Sequence, residues 1–149
     1  MPLRIGIDLW AGYYPLVLAD ELGYLKAAGV EVDISIPKNT DRMLAQFAAR
    51  DYDAVCVSCA DVITVTRAVP HLRIVLLSDE SAGGDQILTR QPITTAGDLR
   101  GKKIGTNLGG FGELFVQRLL AKHGVSPSEV TLVNVEAAGL VVRSVGAPS

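Results

Sequence analysis

Between Thr94 and Val135 the sequence TTAGDLRGKKIGTNLGGFGELFVQRLLAKHGVSPSEVTLVNV reads as a capped short helix, a strand, a glycine-rich turn, a long helix and a second strand. Two strands joined through a helix by connections this short are expected to lie parallel, with the helix packed across them. Gly109, Gly110 and Gly112 come just before the helical run Glu113 to Lys122. Backbone N–H groups at that helix N-terminus should therefore point at whatever occupies the turn, an arrangement that favours a small polar or anionic ligand.

The same alternation runs through the rest of the chain. Arg4 to Leu9 predicts a strand, and Leu16 to Ala28 a helix with Leu18, Leu22 and Leu25 on one face and Gly29 as its stop. Val30 to Ile36 alternates apolar and polar residues; Asn39-Thr40-Asp41 can then cap a helix over Arg42 to Arg50 that turns Met43, Leu44 and Phe47 inward. Tyr52 to Val57 predicts a third strand, Asp61 to Val69 a helix ended by Pro70, and Leu72 to Leu77 a fourth strand. This pattern predicts the α/β class with a mostly parallel sheet.

From Ser78 to Gln91 a glycine-rich bend precedes a short apolar run, Gln86 to Thr89, expected to be a strand crossing to a second lobe. Residues 1–90 then form a first α/β lobe and 91–149 a partial second one. In the latter, Thr94 or Thr95 caps a short helix to Leu99, Arg100-Gly101 turns, and Lys103 to Thr106 is a strand. Gly124 stops the long helix, Ser126-Pro127-Ser128 caps a further turn, Val130 to Val135 is a strand, and Glu136 to Val145 a last helix.

Composition removes several function classes. The 14 basic and 16 acidic residues are interspersed and give a formal charge of −2, so no footprint for nucleic acid is visible. Mean hydropathy is +0.30, yet the most apolar segment, Ala54 to Val65, contains Asp61 and is too short to span a bilayer; buried parallel strands explain the apolarity better. Met1-Pro2-Leu3-Arg4 enters a strand without the features of a secretory signal, which leaves a cytoplasmic chain and one with its signal removed both open. Cys56 and Cys59 have C-x-x-C spacing but no second ligand pair, and an inert core role is expected for Cys56.

Ligands of open α/β sheets sit outside the carboxyl ends of the strands, so the residues following each strand are the candidates. Trp10, the only tryptophan, clusters with Tyr13 and Tyr14 as an aromatic wall. Ser58, Cys59 and Ala60 follow the third strand, with Asp61 read as a first-turn charge on the helix; Ser81 follows the fourth, and Asn107, Gly109 and Gly110 open the second-lobe turn. His71 and His123 fall in a loop and at a helix C-terminus, and no acid pair, metal-ligand spacing, nucleophile elbow or nucleotide motif is present, so no catalytic residue, metal or cofactor is expected.

The runs W-x-G-Y-Y-P-L-x-L-A at Trp10 to Ala19, G-Y-L-K-A-A-G-V-E-V at Gly23 to Val32, V-S-C-A-D at Val57 to Asp61, S-A-G-G-D-Q-I at Ser81 to Ile87 and D-L-R-G-K-K-I-G-T at Asp98 to Thr106 resemble one group of proteins. These are the nitrate/sulfonate/taurine and pyrimidine-precursor (NMT1/THI5-like) solute-binding proteins of ABC transporters. The resemblance implies a type II periplasmic-binding-protein fold, a small solute such as a sulfonate, nitrate or a pyrimidine held in an inter-lobe cleft, an ABC permease as partner and a place in the periplasm or cell envelope. It places Trp10, Tyr13, Ser58 to Ala60, Ser81 and Asn107 to Gly110 at the cleft. Members normally continue beyond Val133-Asn134-Val135 and return to the first lobe, so a truncated second lobe is expected, with dimerisation through apolar surface at Phe115, Leu119 and Val130 to Val135. Rival classes are an enzyme on the same fold, in thiamine-pyrimidine or menaquinone-precursor synthesis, and a ligand-sensing module of a signalling receptor.

Overall fold

The computed structural model describes residues 1–135 and divides into two compact units, Met1–Ala82 and a second beginning at Gly83. The expected helix over Glu136 to Val145 lies outside the described residues.

The first unit is built on a three-stranded parallel sheet of order β2-β1-β3, from β1 (Leu3–Ile7), β2 (Val32–Ser35) and β3 (Ala54–Cys56). Ile5 pairs with Ile34 on one side and Ala54 on the other. The central strand must be apolar on both faces, and Ile5, Gly6 and Ile7 are all buried. Helix α3 (Thr40–Ala48) presses Met43 onto this strand: a Cβ at Gly6 would come within 2.9 Å of the Met43 side chain. Asn39 caps α3 by accepting from the Arg42 N–H at 2.7 Å, as its sequence position predicts.

Where one long helix is expected over Leu16 to Ala28, the chain forms two, α1 (Tyr14–Glu21) and α2 (Tyr24–Ala27). Gly23 separates them in the left-handed region, at φ 75°, where glycine carries no Cβ penalty. Of the three leucines expected on one face, Leu18 and Leu22 are 58% and 62% exposed and Leu25 is half-buried. Helix α4 (Cys59–Val65) follows β3 directly.

The fourth strand expected at Leu72 to Leu77 does not form. That run has no ladder partner among the described residues, and Ile74, Val75, Leu76 and Leu77 are exposed. Nor does Gln86 to Thr89 form a crossing strand; Ile87 instead packs on the core of the second unit.

That core is Leu99, Ile104, Val116, Leu120 and Val125, beneath a parallel pair of β4 (Lys103–Thr106) and β5 (Thr131–Asn134) connected through α5 (Phe111–Lys122). The predicted strand, helix, strand unit is present within a residue or two of its expected bounds. Phe115 and Leu119, expected to be bare, pack against this core, whereas Phe111, Leu114 and Val133 remain exposed. Arg100 locks the turn before β4 by donating to Glu129 at 2.9 Å and to the Gly124 carbonyl at 3.1 Å. Among the described residues no helix is long and apolar enough to cross a membrane.

Candidate functional site

Strand order β2-β1-β3 means that the chain leaves β1 in one direction and returns to β3 from the other. The loops after β1 and β3 diverge there, which is where open α/β sheets form a ligand crevice. Of the first unit's candidates, Trp10, Tyr13, Ser58, Cys59 and Ala60 come just after those two strands, and Ser81 does not.

Asp8 ends β1. Its Oδ1 accepts from the Leu9 N–H at 2.8 Å and from Thr40 Oγ1 at 3.0 Å, joining the β1 loop to the start of α3. Trp10 follows, half-buried, and its indole Nε1 donates to Asp79 Oδ2 at 2.9 Å. Ala11–Tyr13 then forms a short 3-10 turn. Burial holds the Tyr13 hydroxyl well above its ordinary value of 10.0, and the charges of Asp8, Cys56, Asp61 and Asp79 push it the same way. Tyr13 is therefore a neutral hydroxyl among acids.

On the β3 side, Ser58 and Asp61 cap α4 reciprocally. Asp61 N–H donates to Ser58 Oγ at 3.2 Å, and Asp61 Oδ2 accepts from Ser58 Oγ at 2.6 Å and from Ser58 N–H at 3.3 Å. Asp61 is buried, and desolvation raises its carboxyl despite the Ser58 bonds that favour its charge. Cys59 is exposed on the first turn and Ala60 half-buried beside it; both cysteines are free thiols, and burial pushes the Cys56 thiol up. Ser81 is exposed in the segment that follows Asp79.

In the second unit, Asn107, Gly109 and Gly110 occupy the turn between β4 and α5, with Gly110 as the helix N-cap and Gly109 at φ 84°. The amides expected to face a ligand are partly engaged within the chain: Gly109 N–H donates to Glu113 Oε2 at 2.8 Å and Leu108 N–H to Asn134 Oδ1 at 3.1 Å. Gln117 Nε2 holds the other Glu113 oxygen at 2.7 Å. The positive end of α5 is thus answered by the protein's own carboxylate, which weakens the case for an anion there.

The structure brings Trp10, Tyr13, Ser58, Cys59 and Ala60 to the carboxyl ends of two neighbouring strands, and keeps Asn107, Gly109 and Gly110 together in their own turn. Asp8, Asp79 and Thr40 also take part: Thr40 and Asp79 stand at the positions after the second and fourth expected strands that the sequence marks as candidates, whereas Asp8 is not among them. Asp8 follows the strand run RIGI, a strand-end signal that could have found it. A shallow hollow lined by Met1, Lys26, Gly29, Val30 and Glu31 lies at the opposite, amino end of β1 and β2. Among the described residues no cluster of His, Cys, Asp and Glu could hold a metal ion.

Residues 10–144 match the family described as NMT1/THI5 like. The chain belongs to the NMT1/THI5-like family. A Haemophilus influenzae protein described in connection with thiamine biosynthesis is 25% identical over 122 residues, covering 80% of this chain and 38% of its own. Two Saccharomyces cerevisiae 4-amino-5-hydroxymethyl-2-methylpyrimidine phosphate synthases are each 28% identical over 123 residues, covering 81% of this chain and 36% of theirs. The structure also matches the alkanesulfonate-binding protein SsuA from Xanthomonas axonopodis pv. citri, solved bound to MOPS, with a TM-score of 0.70 at 18% identity, over 95% of this chain and 50% of that one. The type II periplasmic-binding-protein fold follows, and this NMT1/THI5-like chain spans half or less of the proteins it matches.

Proposed function

We propose that this protein captures a small organic solute at the β1/β3 strand ends, and that a planar, amine-bearing ring of the pyrimidine type suits it better than a sulfonate or nitrate. One observation carries the preference: Trp10 donates to the Asp79 carboxylate, and the charges of Asp8, Asp61 and Asp79 all act on the neighbouring Tyr13. Aromatic faces accept a planar ring, and carboxylates accept hydrogen bonds from ring amino groups while repelling an anion. Engagement of the α5 turn by Glu113 points the same way. In this reading the protein is the substrate-binding component of an ABC importer, working in the periplasm or cell envelope with a permease.

A second reading, an enzyme of pyrimidine synthesis, draws support from the two yeast relatives named as synthases. Incubating the protein with candidate precursors and following product by mass spectrometry separates turnover from capture.

Calorimetry with 4-amino-5-hydroxymethyl-2-methylpyrimidine, taurine, MOPS and nitrate tests the main reading. Binding of the pyrimidine alone is the expected result, with Trp10→Ala weakening it by about 1 to 3 kcal/mol. Preference for the sulfonates or nitrate overturns the ligand class, and failure of every solute to bind overturns the capture reading.

A further inference from the structure

We propose that Asp79 is a positioning residue: its carboxylate holds the indole of Trp10 in one orientation at the strand-end rim, and Gly12 is the seat that lets it do so. The inference rests on the reading of that rim as a ligand site and adds to it the residue that sets the aromatic wall.

Two independent observations meet at this carboxylate. Trp10 Nε1 donates to Asp79 Oδ2 at 2.9 Å across 69 residues of sequence. On the other side, a Cβ built on Gly12 would collide with Asp79 Cγ and Oδ2 and come within 2.6 Å of Oδ1. The carboxylate therefore lies directly against the backbone of the Ala11–Tyr13 turn, in space that any side chain at position 12 would occupy. Gly12 is not held in the left-handed region, unlike Gly23 or Gly29. Its lack of a side chain serves this close approach rather than an unusual backbone angle.

An indole has one polar atom, and a charge-assisted bond to it defines the ring's rotation about its stem. Asp79 belongs to the segment after Leu72 that forms no ladder among the described residues, so the bond also ties this segment to the β1 loop. A ring fixed before a ligand arrives spares the ordering cost that a freely rotating ring would add on binding. Asp79 need not touch the solute to affect its affinity.

Trp10 is the sole tryptophan, so fluorescence excited at the red edge of the indole band, where tyrosine does not absorb, reports this ring alone. The test compares wild type with Asp79→Ala, Gly12→Ala and Asp79→Asn, each confirmed as folded by far-ultraviolet circular dichroism. Acrylamide quenching and steady-state anisotropy are read without ligand. Asp79→Ala and Gly12→Ala should both raise the quenching constant and lower the anisotropy, whereas Asp79→Asn, which keeps an acceptor oxygen, should restore most of the wild-type values. Unchanged quenching and anisotropy in both folded variants overturn the proposal. Titration with 4-amino-5-hydroxymethyl-2-methylpyrimidine follows. A loss of about tenfold in affinity for Asp79→Ala with partial recovery in Asp79→Asn supports the positioning role, and equal affinity in all three overturns it. Should wild type bind no probe, the solute-binding reading falls, while the ligand-free fluorescence still decides whether Asp79 holds Trp10.

Discussion

Ser58 Oγ lies 2.6 Å from Asp61 Oδ2 while also accepting the Asp61 N–H, so one residue pair closes the N-terminus of α4 in both directions. The hydroxyl is engaged by the fold before any solute arrives. Ser58→Ala should therefore destabilise the first unit by about 0.5 to 2 kcal/mol, read by urea unfolding followed through Trp10 fluorescence. A variant with unchanged stability but weakened solute affinity would show that the hydroxyl serves the ligand instead.

Asp61 carries an opposite electrostatic signature from an exposed acid. Burial holds its carboxyl above the ordinary value of 3.8, so the folded state binds the proton more tightly than the unfolded chain does. Its contribution to stability is fully present below the unfolded value and is lost as pH rises through the raised folded value. Relative to wild type, Asp61→Asn should gain stability progressively as pH is raised from about 4 towards neutrality. Thermal melts across that range check this; a difference that stays constant with pH would mean that burial does not penalise the charge.

Asp53 behaves in the reverse sense. Two oxygens of its carboxylate accept from Arg4, Nη2 at 2.8 Å and Nε at 3.0 Å, and the Arg4 N–H adds a third bond at 3.0 Å. The guanidinium bonds, then the backbone bond, lower the carboxyl from 3.8 to about 2. Stability from this pair is present above the unfolded value and lost as pH falls through about 2. Asp53→Asn should flatten that acid limb and make the remaining unfolding less sensitive to salt, as expected for an exposed pair. Acid titration by circular dichroism at two ionic strengths is the measurement.

The parts of this fold that sequence made visible are those governed by local chemistry. Asn39 before Thr40, Ser126 before Pro127 and Gly124 after Lys122 mark helix ends because capping and left-handed stops involve only neighbouring residues. β4, α5 and β5 were legible because apolar period and punctuation agree there. The run Leu72 to Leu77 was misleading for a physical reason: a strand is a property of a pair, and side-chain preference cannot supply the partner. Leu18 and Leu22 have helical spacing, yet nothing local dictates that a stripe meets a core. At the candidate site, the strand-end position of the aromatic residues and of Ser58 was readable. The Trp10 to Asp79 bond was not, since it joins residues 69 apart. Nor was the engagement of Gly109 by Glu113, which depends on a side chain folding back onto its own helix start.

The exposed run at 74–77 leaves a measurable liability. Ile74, Val75, Leu76 and Leu77 are 58, 89, 78 and 73% exposed, four consecutive aliphatic residues without an intervening charge. Such a segment combines strand preference with backbone groups that pair with no strand among the described residues, the condition under which a chain recruits strands from other molecules. Burial of each side chain against another surface is worth about 1.5 to 3 kcal/mol, enough in aggregate to drive association at ordinary protein concentrations. Leu76→Lys places a charge in the middle of the run at a position where no packing is lost. Sedimentation velocity over a concentration series should show association in wild type and a marked reduction in Leu76→Lys, with the Trp10 unfolding transition unmoved. Equal association in both proteins would place the contact elsewhere, with the exposed Phe111, Leu114 and Val133 of the second unit as the surface to test next.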